Sequence, residues 1–339
     1  MAGVKQISPG FIGKKMRKNI IHLAVSMAAT ALLAATVPAH AQDYPSNPVN
    51  VIMPWGDGFP ANSARLYGEE LAKRYKQPFV VHSKPGAGGE VAAKQVIAVA
   101  PDGYTLLVTG SSITIRAVSD DSNADGERDL QPIAQLTTTP YVIVAKAGKY
   151  GSFTRFLEVA KAQPGTINFA SAGVGTGMHY LGELINSNAG INMVHVPYSS
   201  GSRQLQAVLA GDVEVAIISL VTALPQIKAG TLEALAVSST ARSKVAADVP
   251  TLVELGLKDI PSIGAWIAMF GPKELDAAVV KSLSEHISQI ANDPSVVERV
   301  SSWGAEIPNT SVSYLKEVIR TEKASWSKLI KEKNLPTAS

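Results

Sequence analysis

Five short loops of this 339-residue chain set glycine beside hydroxyl side chains where a strand-like run gives way to a helix-like one. They are Pro54-Trp55-Gly56-Asp57-Gly58-Phe59, Thr109-Gly110-Ser111-Ser112, Ser171-Ala172-Gly173-Val174-Gly175-Thr176-Gly177, Pro197-Tyr198-Ser199-Ser200-Gly201-Ser202 and Ser219-Leu220-Val221-Thr222. Such a junction presents backbone N–H groups, hydroxyls and the positive end of a helix dipole, a combination that suits a small anionic group such as a carboxylate. One loop of this kind is as readily a tight turn with a helix cap. Five of them point to a ligand cleft, because open α/β sheets display their strand-to-helix loops along one edge.

Other chemistries find little support in the residue types. The glycines of Gly173-Val174-Gly175-Thr176-Gly177 are spaced by two and two, which misses the dinucleotide pattern, and no Gly-Lys-Ser or Gly-Lys-Thr is present to cradle a phosphate. No Gly-x-Ser-x-Gly elbow occurs, and none of His82, His179, His195 and His286 has the two-on-one-helix spacing of a zinc protease. The absence of cysteine removes disulfides, thiolate metal sites and a cysteine nucleophile. His179 opens a helix beside the glycine loop, where a histidine more often orients a loop than titrates in a mechanism. The sequence therefore calls for no cofactor, no metal and no catalytic residue.

The elements that must position these loops are legible as alternating periods. Val49 to Met53 reads as a strand, and Asn62 to Lys76 then puts Ala64, Tyr67, Leu71 and Tyr75 on one helical face. Phe79 to His82 returns as a strand, Pro85 to Gly89 opens a helix through Val99, and Tyr104 to Thr109 is the next strand. A second series begins at Tyr141 to Ala145. It continues through helix Phe153 to Ala162, strand Ile167 to Ala170, helix Met178 to Ser187, strand Val194 to Val196, helix Arg203 to Leu209 and strand Val213 to Ser219. Leu232 to Val237 and Ala265 to Phe270 are later strands, and Asp276 to Lys333 is almost wholly helical. This order predicts an α/β protein of two lobes, each a mostly parallel sheet flanked by helices. Lobe 1 is expected over 42–140 and 260–339 and lobe 2 over 141–259, so the chain crosses between lobes twice, near Thr139 to Val144 and near Val237 to Gly264, and forms a hinge. The acid-rich stretch Asp120 to Asp129 reads as a solvated loop, since its spacing does not follow a calcium cage.

The first 41 residues read as an export signal. Arg17-Lys18 precedes an apolar stretch from Ile20 to Val37, and Ala39-His40-Ala41 supplies small residues for cleavage after Ala41. Its removal takes five of the 31 basic residues and none of the 28 acidic ones, which leaves a formal net charge of −2. The apparent basicity thus belongs to the leader. No basic stripe is left to suggest nucleic acid as a partner.

Over nearly all of the expected mature length the chain resembles the receptors of the tripartite tricarboxylate transporter type, the Bug receptors. The residues that carry the likeness are Tyr44-Pro45, Pro54 and its glycine loop, Ala64-Arg65-Leu66, Pro85-Gly86-Ala87-Gly88-Gly89 and Pro101-Asp102-Gly103-Tyr104-Thr105-Leu106. Further on come Asn168-Phe169-Ala170-Ser171-Ala172-Gly173, His195-Val196-Pro197-Tyr198, Gly211-Asp212-Val213, Leu224-Pro225-Gln226-Ile227-Lys228-Ala229-Gly230, Ala234-Leu235-Ala236-Val237 and Asp248-Val249-Pro250-Thr251. The resemblance implies a type II-like periplasmic binding protein that closes on one small organic acid, aromatic or dicarboxylate. It also implies that the ligand is handed to membrane permease subunits or, alternatively, sensed by a kinase of a two-component system. An exported hydrolase is the remaining alternative, and a monomer is expected.

By the same resemblance the ligand-binding positions are Trp55, Gly56, Asp57, Phe59, Ser111, Ser112, Ser171, Gly173, Gly175, Thr176, His179, Tyr198, Ser199 and Ser219. The first loop departs from the family pattern. Trp55 and Phe59 stand where they either stack on an apolar ligand body or pack at the lobe interface, and Asp57 either points to solvent or meets a donor group of the ligand. The segment Ile113 to Asp129 departs as well, and Arg116 reads there as a surface residue, with a carboxylate partner as the alternative.

Overall fold

The computed structural model describes residues 44–56, 58–119, 124–257, 260 and 263–333. The export segment, Asp57 and residues 120–123 of the acid-rich stretch lie outside these described residues.

Among the described residues, nine strands form one curled sheet in the order β2-β1-β3-β9-β4-β7-β5-β6, with β8 paired to β4 from the side. The first parallel block is β1 (Val49–Met53), β2 (Phe79–Ser83) and β3 (Thr105–Gly110); the second is β5 (Asn168–Ser171), β6 (Val194–Pro197) and β7 (Val215–Ser219). Between the blocks run β4 (Leu130–Lys146) and β9 (Gly264–Pro272), and β8 (Leu232–Val237) pairs with the end of β4. The ladders that β4 and β9 make with their neighbours are antiparallel.

The strand β4 belongs to both halves. Its first part pairs with β9 as far as Pro140 opposite Gly264, and from Tyr141 it pairs with β7, with Tyr141 opposite Ser219. The change of partner falls at Pro140, which has no N–H to give to a ladder. Gly264 permits the strands to close there, because a Cβ on it would lie 2.8 Å from the Thr139 carbonyl. The first part of β4 is hidden from a period-2 reading by Pro132 and by register shifts between Pro132 and Ala134 and between Gln135 and Thr137.

Helices cover the sheet. In the first half these are α1 (Phe59–Tyr75), α2 (Glu90–Ile97) and α3 (Ser112–Ser119), and in the second α4 (Phe153–Ala162), α5 (Gly177–Ala189), α6 (Gly201–Ala210) and α7 (Leu220–Lys228). Each of α4, α5 and α6 starts on a hydroxyl cap: Ser152, Thr176 and Ser200 accept the N–H of Arg155, His179 and Arg203. The tail contributes α8 (Ala277–Ala291), α9 (Pro294–Ser302) and α10 (Val312–Lys333).

Alternation along β4 separates two cores in the second half. Tyr141, Ile143 and Ala145 face the cluster of Phe169, Tyr180 and Leu184, whereas Val142 and Val144 face the cluster of Ala170, Val208 and Ile218. The first half has its own core around Ile52, Leu107, Leu130 and Phe270. The long helix α10 joins both: Leu315 and Ile319 enter the first-half core, and Trp326 packs with Tyr180 in the second at 5.4 Å between ring centroids. The short α3, which holds Ile113 in one core and Ile115 in the other, bridges the halves in the same way.

The fit of α5 on β5 depends on Gly182, where a Cβ would lie 2.2 Å from the ring of the fully buried Phe169. Gly182→Ala is therefore expected to destabilise the fold by about 1–3 kcal/mol through overpacking, despite the better helix propensity of alanine. Urea or thermal unfolding reads this directly, and a melting temperature equal to or above wild type would refute it.

Candidate functional site

Where the two halves face each other, the loops after β1, β3 and β5 enclose a cavity of about 440 Å³. The first half contributes Trp55, Gly88, Ser111, Ser112, Ile115 and Arg116, together with Ala265, Trp266 and Ile267 of β9. The second half contributes Tyr141 from β4 and the run Val174 to Met178.

The positions follow from local constraints. Gly110 lets the end of β3 approach β9, since a Cβ there would sit 2.8 Å from the Trp266 carbonyl and 3.4 Å from the Trp55 ring. Ser111 is pinned by its N–H donating to Trp266 O at 3.2 Å and by its carbonyl accepting the Thr114 hydroxyl at 2.7 Å. The first loop is held by Arg65, whose Nη2 donates to Gly56 O at 3.2 Å. Across the cavity, the hydroxyl of Tyr141 hydrogen-bonds Ser111, so a strand of the second half touches a loop of the first; burial pushes the Tyr141 hydroxyl well above its usual pKa.

Two helices open at this cavity from opposite sides, α3 at Ser112 and α5 at Gly177. The first amides of each helix have no intrahelical acceptor, so both ends attract negative charge. Ser112, Ile115 and Arg116 share one face of α3 at i, i+3 and i+4, which brings the Arg116 side chain to the cavity. The buried Glu90, its Oε2 3.9 Å from Arg116 Nε, steadies that guanidinium. The guanidinium also lies against Gly88, where a Cβ would come within 3.0 Å of Nη1. The remaining wall is apolar or aromatic: Trp55, Ile115, Met178 and Ile267.

Of the residues singled out from sequence, Trp55, Ser111, Ser112, Gly175 and Thr176 line this cavity. Thr176 is also the cap of α5, donating from Oγ1 to Gly173 O at 2.7 Å and accepting from His179 N at 3.3 Å. Ser171 is fully buried beneath the loop, with its hydroxyl 2.6 Å from His195 Nε2 and 3.1 Å from both Gly173 O and Gly173 N. Gly173 shapes the loop with a positive φ of 120° and does not line the cavity. Phe59 is buried edge-on against Trp303, at 6.4 Å between centroids. Gly56, Tyr198, Ser199 and Ser219 also stand outside the lining; Tyr198 packs on the second-half core, Ser199 is exposed, and Ser219 pairs with Thr222 at 2.8 Å. Arg116, read from sequence as a surface residue, faces the cavity instead, and Tyr141, Trp266 and Met178 join it. Among the described residues no cluster of histidine and acidic side chains could hold a metal ion, and no helix is long and apolar enough to cross a membrane.

The glycine loop of the second half rests on a stacked histidine pair. The rings of His179 and His195 lie 4.1 Å apart at 27°, and Gly175 N–H donates to His179 Nδ1 at 3.2 Å. His179 Nδ1 is thus an acceptor and Nε2 carries the proton. Burial, with a smaller contribution from the neighbouring His195, lowers the His179 pKa from 6.5 to about 4, and burial lowers that of His195 as well. Between these two values the unfolded chain binds a proton that the folded chain refuses, so stability falls as pH drops from about 6.5 to about 4. The loss is up to about 3 kcal/mol. Melting curves of wild type and His179→Gln at pH 7.5 and pH 4.5 test this: the wild type should lose more stability on acidification than the variant, and an equal loss in both would refute it.

Comparison with known proteins gives the family and the fold. Residues 63–335 match the model described as the tripartite tricarboxylate transporter family receptor. The chain is 33% identical over 309 residues to a UPF0065 protein of Bordetella pertussis, covering 90% of this chain and 95% of that protein. To the protein BugT of the same organism it is 30% identical, covering 90% of this chain and 94% of that protein. Among solved structures it is similar to Rpa4515 of R. palustris with adipate, at 25% identity and a TM-score of 0.79, covering 87% of this chain and 100% of that one. It is also similar to MatC from Rhodopseudomonas palustris with bound malate, at 28% identity and a TM-score of 0.75, covering 85% and 100%.

Proposed function

The chain belongs to the tripartite tricarboxylate transporter receptor family, and we propose that it captures a small organic carboxylate in the cavity between its halves and delivers it to a tripartite-type membrane transporter. Family and fold are those of two-lobed periplasmic solute-binding receptors. In this reading the leader through Ala41 is removed on export and the mature receptor acts as a monomer. Lobe 1 spans 42–140 and 260–339, lobe 2 spans 141–259, and the lobes close on the ligand about the strands that join them.

The observation that carries the proposal is the convergence of Arg116 with the N-termini of α3 and α5 on one cavity with apolar walls. A carboxylate at the α3 end meets the guanidinium and the hydroxyls of Ser111 and Ser112. At the other end, the amides of Gly177 and Met178 offer a second, uncharged grip. Trp55, Ile115, Met178 and Ile267 then cover an apolar middle. An acid with two polar ends and a short hydrocarbon between them fits this pattern best, and the presence of adipate and malate in two similar proteins supports the same class.

Isothermal titration with adipate, malate, benzoate and an amino acid tests the reading. A dicarboxylate should bind one to one. At a hundredfold excess over its dissociation constant it should stabilise the fold by about 2.7 kcal/mol. Arg116→Gln should weaken binding about tenfold or more, as expected for loss of a charge-assisted hydrogen bond, while Ser199→Ala should leave it unchanged. Unaltered affinity in Arg116→Gln would remove Arg116 from the grip, and no binding of any carboxylate would overturn the proposal.

A further inference from the structure

A second cavity, of about 460 Å³, lies against the strands that join the halves. Its walls are Thr138 to Pro140 of β4, Gly264 and Trp266 of β9, the loop Ser239 to Ser243, Glu306, and the face of α10 that carries Glu317, Thr321 and Glu322. Trp266 is the one lining residue it shares with the carboxylate cavity among the described residues. The two are otherwise separate in their chemistry.

The second cavity is rich in acceptors. Gln135, which lines it, is only 3% exposed, and its Oε1 has no hydrogen-bond partner. A buried carbonyl left in that state has given up its water without replacement, so a donor brought in by a ligand would be favoured there. Among the described residues the Glu306 carboxylate receives one long hydrogen bond, 3.4 Å from the Ser243 hydroxyl, and no cation pairs with it. Glu322 accepts from Trp266 Nε1 at 2.8 Å and has its other oxygen 2.8 Å from the Thr114 hydroxyl, and no cation pairs with it among the described residues either. Burial raises the Glu322 carboxyl to about 7, the direction expected of an acid with no positive charge beside it. The single cationic lining residue among those described, Arg242, is already committed to Glu254, with Nε 2.9 and 3.1 Å from its carboxylate oxygens, and to Ala247 O at 3.1 Å.

We propose that this cavity is a second ligand site, which binds a small organic ammonium through Gln135 Oε1 and the carboxylates of Glu306 and Glu322. An ammonium supplies three N–H donors and one positive charge, which matches the buried amide oxygen and the unbalanced acids. The occupant would rest on both joining strands at once, at the point where β4 changes partners.

Titration calorimetry of the whole protein with ethanolamine and with 1,4-diaminobutane tests the proposal, and 1,4-butanediol serves as the uncharged counterpart. At least one amine should bind saturably, one to one and at millimolar or tighter concentration, at least tenfold better than the diol. Glu306→Gln should weaken that binding tenfold or more, and so should Gln135→Leu, which keeps the shape but removes the acceptor. A structure of wild type grown with the amine should show the nitrogen against Gln135, so the test does not depend on the folding of a variant. No saturable heat with either amine, equal affinity for the diol, or undiminished binding in Glu306→Gln would each overturn the inference. Because these titrations contain no carboxylate, their outcome is independent of the function proposed for the first cavity.

Discussion

The molecule is organised by the constraint that one strand serves both halves of the sheet. A β-strand satisfies its backbone only through neighbours, and β4 has different neighbours before and after Pro140. Proline ends the first ladder without leaving an N–H unpaired, and the close approach at Gly264 keeps β9 alongside up to the same point. Both cavities are consequences of this exchange. A sheet that changes partners at one residue turns there, and the loops on the two sides of the turn are brought against one another.

The two cavities have opposite polarity. The one between the loops is lined by helix N-termini, hydroxyls and Arg116, all of which favour negative charge. The one against the joining strands is lined by Gln135 Oε1 and carboxylates, which favour donors. The Trp266 side chain stands between them: its indole N–H is spent on Glu322 while its backbone carbonyl holds Ser111. A shift of this residue is therefore felt in both places through short, directional bonds.

Much of the fold is legible in the sequence where periodicity is clean. Val49–Met53, Phe153–Ala162 and Leu232–Val237 coincide with the observed elements because each is flanked by turn or cap residues and has an unbroken apolar period. The first part of β4 escapes because bulges reset its alternation. The helices α3 and α7 escape because both are short and one contains Pro225. In the site, loops rich in glycine and serine are visible, but which hydroxyls are available is a tertiary matter. Ser171 and Ser219 spend their hydroxyls on their own turn or on a neighbouring side chain, a common fate of serine at strand-to-helix junctions. Arg116 was detectable only from its i, i+3, i+4 relation to Ser112 and Ile115, and eight residues give too few turns for that face to stand out.

The helix α10 has a mechanical consequence for any motion of the halves. At 22 residues it is a rod of roughly 33 Å, with Leu315 and Ile319 sunk in one core and Trp326 in the other. A hydrogen-bonded helix does not stretch, so spreading the halves apart must draw the tryptophan from its seat or tilt the rod about it. That seat is incomplete, because the Trp326 indole N–H is buried without an acceptor and regains one on reaching water. The rod thus acts as a strut with a sprung end: it resists small displacements by packing and gives way, at reduced cost, to a large one.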